Sequence, residues 1–250
     1  MAISITHDKA TNTGGDDYLT WWENEFDSGN HPSNTGGFYP GTLSGEQYAM
    51  SSGAQGSTAG FIASGDLDYT LFSVPTHTVY GDLDDIEFGD QIVGGSSTAY
   101  SFDTGPELSI DGLDLSSGAV ADNQIHEIVY GLMQGDATEL ENFLNTENLD
   151  IDGSSGDDVL NGYAGDDTLT GNNGDDTFLF DLFGSATGFG DDTVTDYEIG
   201  DDEIDISAFD SYTDTVVGSD LELEVFDASS NSMGTITLTG ITDVNDVTFA

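Results

Sequence analysis

The 250-residue chain predicts an α+β domain over residues 1–150 followed by an all-β domain over 151–250. Three observations carry this. Between residues 38 and 102, short stretches of alternating polar and apolar residues are separated by glycine and serine turn signals, the pattern of antiparallel strands. Residues 119–144 instead repeat their apolar side chains at helical spacing. From Gly153 a nine-residue repeat takes over, which predicts a parallel β-roll followed by a β cap.

The elements follow in order. Leu19, Trp22 and Phe26 share one face of a short helix with Asp16 and Asp17 at its acidic start. Residues 28–37 (SGNHPSNTGG) read as a polar loop carrying His31. Phe38-Tyr39 and residues 47–50 lead into the strands, predicted at Phe61-Ile62, Asp66–Leu71, Thr78–Tyr80, Ile86–Phe88, Gln91–Val93 and Tyr100–Phe102. Ile125, Val129, Leu132 and Met133 form a helical stripe that Gly135-Asp136 ends, and Leu140, Phe143 and Leu144 mark a second helix. His126-Glu127 begins like a zinc-protease motif, but Tyr130 stands where the second histidine is required. Serine-nucleophile elbows, phosphate loops and dinucleotide fingerprints are also missing from the sequence.

Composition narrows the function classes. The formal net charge is -48, with Lys9 the single basic residue against 49 acids. Of those acids 25 fall in 1–150 and 24 in 151–250, so the bias is global, and adaptation to a saline habitat accounts for most of it. Hydrophobic residues make up 36% of the chain and are patterned, which argues against disorder. Nothing in such a chain neutralises phosphates, which excludes nucleic acid as a partner. Without cysteine there is neither a disulfide framework nor a thiolate metal site. The start, MAISITHDKATN, lacks a basic segment followed by an apolar run, so no Sec-type signal is expected. No apolar stretch approaches the ~18 residues that would insert into a membrane.

The stretch Asp66–Tyr80 (DLDYTLFSVPTHTVY) reads as strand, turn and strand, with Pro75 breaking the ladder. A reversal near Ser73 places Tyr69 roughly opposite His77. Two readings stand on these residues alone. The tyrosine is a half-buried strand residue and the histidine a loop residue, or the two share a proton and bind a metal.

The repeat is more specific. GSSGDDVLN begins at Gly153, GYAGDDTLT at Gly162 and GNNGDDTFL at Gly171. Each copy has a second glycine (Gly156, Gly165, Gly174), an aspartate (Asp158, Asp167, Asp176) and an apolar residue (Leu160, Leu169, Phe178) at fixed offsets. Glycines permit the turn and a close ion approach, and turn carbonyls with carboxylates offer hard oxygen ligands that suit Ca²⁺. A degenerate unit follows at Gly188–Val194 and contains Asp192. Ile204–Ile206, Leu221–Val225 and Gly234–Leu238 alternate cleanly and look like a β cap.

Two family resemblances cover nearly the whole chain. Residues 153–250, including GDDTVTDYEIGDDEIDIS, resemble the RTX module of proteins exported by type I secretion. That resemblance implies calcium held between turns on the same side of the roll, pairing Asp158 with Asp176 and Asp167 with Asp192. It also implies export by the type I machinery, an uncleaved signal near Asp246–Ala250 and folding outside the cell. Residues 1–150 resemble the HasA-type haemophores through GGFYPGTLSGEQYA, DLDYTLFSVPTHTVYGDLDDIEFGD and IHEIVYGLMQGD. The implied fold is a curved antiparallel sheet with helices on one face. The implied ligand is ferric haem b, held by Tyr69 with His77 behind it and His31 on the opposite face. Leu71, Phe72, Val79, Tyr130 and Met133 fall where that family lines its pocket. The family further implies delivery to a TonB-dependent outer-membrane receptor and no enzymatic activity. The competing expectations are a calcium-dependent adhesive protein that has lost haem, and a haem-dependent enzyme such as a peroxidase.

Overall fold

A computed structural model describes residues 2–9, 17–26, 36–52, 59–71, 77–95, 97–120, 123–182 and 188–250. The sequence predicts one boundary, at 150. The contacts instead gather Tyr18–Leu140 into one compact unit and Met1–Asp17 with Glu141–Ala250 into another. The N-terminal strand β1 (Ile3–His7) is the cause. It runs parallel to a strand at Leu149–Asp152, with Ile3 opposite Leu149 and Ile5 opposite Ile151. This strand goes unread in the sequence.

The unit Tyr18–Leu140 opens with helix α1 (Tyr18–Glu25). Its strands are β2 (Gly37–Tyr39), β3 (Ser44–Ser51), β4 (Ala59–Thr70), β5 (Thr78–Asp90), β6 (Ile92–Gly95), β7 (Thr98–Phe102) and β8 (Leu108–Ser117). Helix α2 (Gln124–Gln134) follows, and the division between the units falls within the next helix, α3 (Thr138–Leu144). Within this unit the strands lie in the order β2-β3-β4-β5-β8, and each of these neighbours is antiparallel. Four short strands predicted between 61 and 88 prove to be two long ones, β4 and β5, each bent by a bulge. Gly65 shows why: it sits at φ 150, where a Cβ would lie 2.2 Å from the Asp82 carbonyl. The glycine marks a close approach of two strands rather than a turn.

Alternation then sets the two faces of the sheet. Phe61 pairs with Phe88, and both meet Trp22 of α1 edge-on, at ring distances of 6.2 and 5.0 Å. Trp22 also stacks on Phe26 at 4.5 Å. Ile62 faces the other way and packs with Ala49 and Phe102 under the β6–β7 hairpin. Both faces of the sheet centre are therefore covered, which is why Phe61, Ile62 and Phe88 are fully buried.

In the second unit, β9 (Leu149–Asp152), β10 (Val159–Asn161), β11 (Thr168–Thr170), β12 (Thr177–Leu179), β13 (Gly190–Val194) and β14 (Glu203–Asp205) go alternately to two parallel sheets. One holds β9, β11 and β13; the other holds β10, β12 and β14. Leu160, Leu169 and Phe178, the apolar positions of the repeat, are fully buried. The chain finishes with β15 (Ser211–Val217), β16 (Asp220–Phe226) and β17 (Ser232–Leu238). Strand β17 runs parallel to β13 and antiparallel to β16, so the last strands extend the sheet that β9 begins. No helix among the described residues is long and apolar enough to cross a membrane.

Candidate functional site

Strand pairing brings Tyr69 and His77 together. Tyr69 lies directly across from Val79, two residues beyond His77. The Tyr69 N–H donates to the Leu43 carbonyl at 2.8 Å, and the His77 N–H donates to the Thr70 carbonyl at 2.6 Å. His77 takes φ 58, a left-handed conformation that costs a non-glycine residue on the order of 1 kcal/mol. That local turn leaves Nδ1 2.6 Å from the Tyr69 Oη. With a neutral phenol, the hydroxyl donates to Nδ1 and the ring proton sits on Nε2. Burial raises the Tyr69 pKa above its ordinary 10.0, and the nearby Tyr130 phenol adds to the rise. The resting phenol is thus protonated at neutral pH, with a base already in contact to receive its proton.

The pair stands at the wall of a cavity of about 310 Å³. Leu71, Val79 and Met133 line it beside Tyr69 and His77. Tyr130 stays out of the lining; it is 49% exposed on α2, with its ring 5.4 Å from that of His126. His31 and Phe72 lie outside the described residues. The lining is completed by Gly36, Gly37, Phe38, Thr42, Leu43 and Tyr48. This part of the lining went unrecognised as a site, because residues from β2 and β3 reach it only through the register of three strands. Tyr48 is buried, its ring 5.0 Å from Phe38, and its phenol pKa is raised by that burial, with Tyr69 and Tyr100 adding to it.

The second unit carries a ladder of aspartates. Asp158, Asp167, Asp176 and Asp192 are each no more than 2% exposed. The Asp158 N–H donates to Asp176 Oδ1 at 2.9 Å, and the Asp167 N–H donates to Asp192 Oδ1 at 2.9 Å. Leu149 N–H donates to Asp167 Oδ1 at 2.6 Å. In Asp167, Asp176 and Asp192 the other oxygen, Oδ2, is buried with no hydrogen-bond partner. Burial pushes the carboxyls of Asp167 and Asp176 up to about 7 and that of Asp192 up to about 9. A Cβ on Gly171 would stand 2.5 Å from Asp176 Oδ2, so the carboxylate occupies the crook of a turn that only glycine leaves open. The remaining repeat glycines, Gly153, Gly156, Gly162, Gly165 and Gly174, also fall between strands.

Buried bare carboxylate oxygens beside turn backbone fit a hard cation. Among the described residues, no group of three or more His, Asp or Glu side chains could alone hold a metal. A cation here would therefore take most of its oxygens from turn carbonyls. Asp158 differs from the others: its Oδ2 accepts the Ser154 N–H at 2.6 Å and the Ser154 hydroxyl at 2.7 Å, and His7 Nδ1 lies 3.5 Å from its Oδ1. Asp202 is a further member of the ladder, accepting the Asp176 N–H at 3.0 Å. Its signal was available in the sequence, since Gly200-Asp201-Asp202 repeats the Gly-Asp-Asp triplet of the earlier turns.

A phenol–imidazole pair at an apolar cavity, joined in one chain to a repeat-built carboxylate ladder, defines a two-part binding protein. The chain belongs to the heme-binding protein A (HasA) family, whose model matches residues 1–181. Residues 146–231 match the serralysin C-terminal domain of the M10 peptidases, a module associated with type I secretion. The fusion of these two parts is the arrangement that the two resemblances imply. The chain is 46% identical over 156 residues to the hemophore HasA of Serratia marcescens, a match covering 58% of this chain and 81% of that protein. The solved holo hemophore HasA of Yersinia pestis is 26% identical, with a TM-score of 0.49, over 58% of this chain and 89% of that one. A subunit of the Azotobacter vinelandii mannuronan C5-epimerase is 25% identical, with a TM-score of 0.31, over 42% of this chain and 73% of that one.

Proposed function

We propose that this protein is a secreted, non-enzymatic haemophore that captures ferric haem b outside the cell. The supporting observation is the 2.6 Å contact between Tyr69 Oη and His77 Nδ1 at the wall of an apolar cavity. Tyr69 supplies a phenolate to the iron. Its proton passes to His77 Nδ1, which then donates back to the phenolate and steadies its charge. A hard anionic oxygen favours ferric over ferrous iron. Leu71, Val79 and Met133, which line the cavity, would bury the apolar part of the macrocycle; Phe72 and Tyr130 enter as pocket residues through the family resemblance alone. His31 would be the second iron ligand, as the family resemblance implies. Lys9 is the chain's single cationic side chain apart from histidine, so affinity rests on iron ligation and apolar burial, with the propionates turned to solvent.

In the same reading the C-terminal half, from 151, is a calcium-loaded parallel β-roll. Asp158, Asp167, Asp176 and Asp192, with the turn glycines, hold the ions, and the module serves export by type I secretion. Haem is then handed to a TonB-dependent outer-membrane receptor. The test is a hemin titration of the full chain in high salt with calcium, repeated on Tyr69→Phe. Saturable one-to-one uptake with a tyrosinate-type ferric spectrum is expected, with affinity reduced at least tenfold in the variant. A folded wild-type chain that takes up no hemin would sink the proposal and leave a calcium-dependent surface protein as the better account.

A further inference from the structure

The haem-carrier reading assigns nothing to His126 or Asn123, yet both grip the strand that carries the site. Strand β8 pairs with β5 only as far as Ser117 opposite Gly81. On β5, Val79 lies beyond that point, and its cross-strand neighbour Tyr69 spends its own N–H on Leu43. The backbone of Val79 therefore needs partners that no strand provides. The first turn of α2 provides them. Val79 N–H donates to His126 Nδ1 at 3.3 Å, and Asn123 Nδ2 donates to the Val79 carbonyl at 3.1 Å. The two side chains stand in for a missing strand.

Asn123 is itself tightly held. It caps α2, its Oδ1 accepting the His126 N–H at 2.9 Å and the Ser117 hydroxyl at 3.0 Å, while Nδ2 also donates to the Val120 carbonyl at 2.9 Å. It is 5% exposed and Val79 is 2% exposed, so these bonds are made away from water. Val79 touches the cavity, pairs with Tyr69 and follows His77 by two residues. A shift of its backbone moves both members of the Tyr69–His77 pair relative to each other.

We infer that His126 and Asn123 are positioning residues for the haem site, acting through the backbone of Val79 to fix the Tyr69–His77 geometry. This rests on the haem-carrier reading for its functional consequence. The role needs a neutral acceptor at position 126, so His126→Gln retains it and His126→Leu removes it.

The experiment compares the full chain and both variants after hemin loading, with calcium present. It reads the hemin dissociation rate and the ferric charge-transfer band. Outer partners of a ligand set typically change metal affinity by roughly tenfold or more. His126→Leu is expected to release hemin about tenfold faster with a shifted band, and His126→Gln to restore both. Wild-type rate and spectrum in a folded His126→Leu would overturn the inference. So would equal loss in both variants tracking a lowered melting temperature, since that marks a merely structural role. Hydrogen exchange at the Val79 amide of the wild-type chain supplies a test that requires no variant. Slow exchange supports the clamp, and exchange at the rate of an exposed amide refutes it. Should the wild-type chain take up no hemin, the haem reading fails, while the Val79 amide still decides whether the clamp exists.

Discussion

The phenol–imidazole pair and the aspartate ladder differ in what the protein supplies before any metal arrives. Tyr69 already has His77 as a partner at 2.6 Å, and the pair borders solvent. Asp167, Asp176 and Asp192 each keep one buried oxygen without a partner, and their like charges face one another. One site is assembled in advance and loses little by waiting. The other gathers like-charged carboxyls with bare buried oxygens, and on the proposed reading a calcium ion is what would offset their repulsion. Metal dependence of folding should therefore lie almost wholly in the second unit.

Calcium removal is the largest effect expected. The sign of its pH dependence follows from the raised carboxyls. An unfolded aspartate titrates near 3.8, whereas Asp167 and Asp176 titrate at about 7 and Asp192 at about 9 in the folded chain. Between these values the native chain binds more protons than the unfolded one, so stability falls as pH rises. The penalty is absent below about 4 and complete above about 9. Chelated protein in constant high salt should melt at a higher temperature at pH 5 than at pH 8.5, and calcium should abolish that difference. Calcium added at pH 6 should release protons, measurable in weak buffer. A chelated chain with the same melting temperature at both pH values would refute this account of the ladder.

Within the ladder, two matched substitutions should have opposite signs. Asp192→Asn removes a charge that the metal-free fold tolerates poorly, so the chelated protein should melt higher while the stabilisation by calcium is lost. Asp158 is already held by the Ser154 N–H and hydroxyl, with His7 nearby. Asp158→Asn weakens charge-assisted hydrogen bonds worth about 1.5–3 kcal/mol, so the chelated protein should melt lower. Thermal melts in chelator and in calcium give all four values. Equal shifts for the two variants would mean that the ladder is uniform and that the Ser154 and His7 contacts carry no weight.

The same contrast explains what could be read from the sequence. The ladder is a local pattern: nine-residue spacing places Asp158, Asp167 and Asp176 at once, and Phe178 and Leu169 inside. It was lost at Asp202, because a longer connection carries the chain from Asp176 to the next carboxylate on that side, while the Gly-Asp-Asp signature survives. The cavity depends instead on long-range register. Tyr69 and His77 were legible because they flank one turn. Phe38, Leu43 and Tyr48 were not, since nothing local tells which strand faces them. Phe61-Ile62 and Asp66–Leu71 read as separate strands because the break between them, at Gly65, is a bulge within one strand. Strand β1 was missed because its partner at Leu149–Asp152 lies far along the chain.

His77→Ala should show the smallest effect on folding and a clear one on binding. The imidazole contributes a hydrogen bond at a largely exposed position, so the metal-free melting temperature should hardly change. Haem affinity should fall by about 10–100-fold, as for other partners that orient a metal ligand. The phenol then has no base in contact and must lose its proton to water, against a pKa already raised by burial and by Tyr130. Uptake by the variant should consequently improve with rising pH more steeply than in the wild type. Hemin titrations at pH 6 and pH 9 measure this slope. Parallel slopes in variant and wild type would mean that His77 orients the phenol without accepting its proton, and that the pre-assembled pair is a geometric device alone.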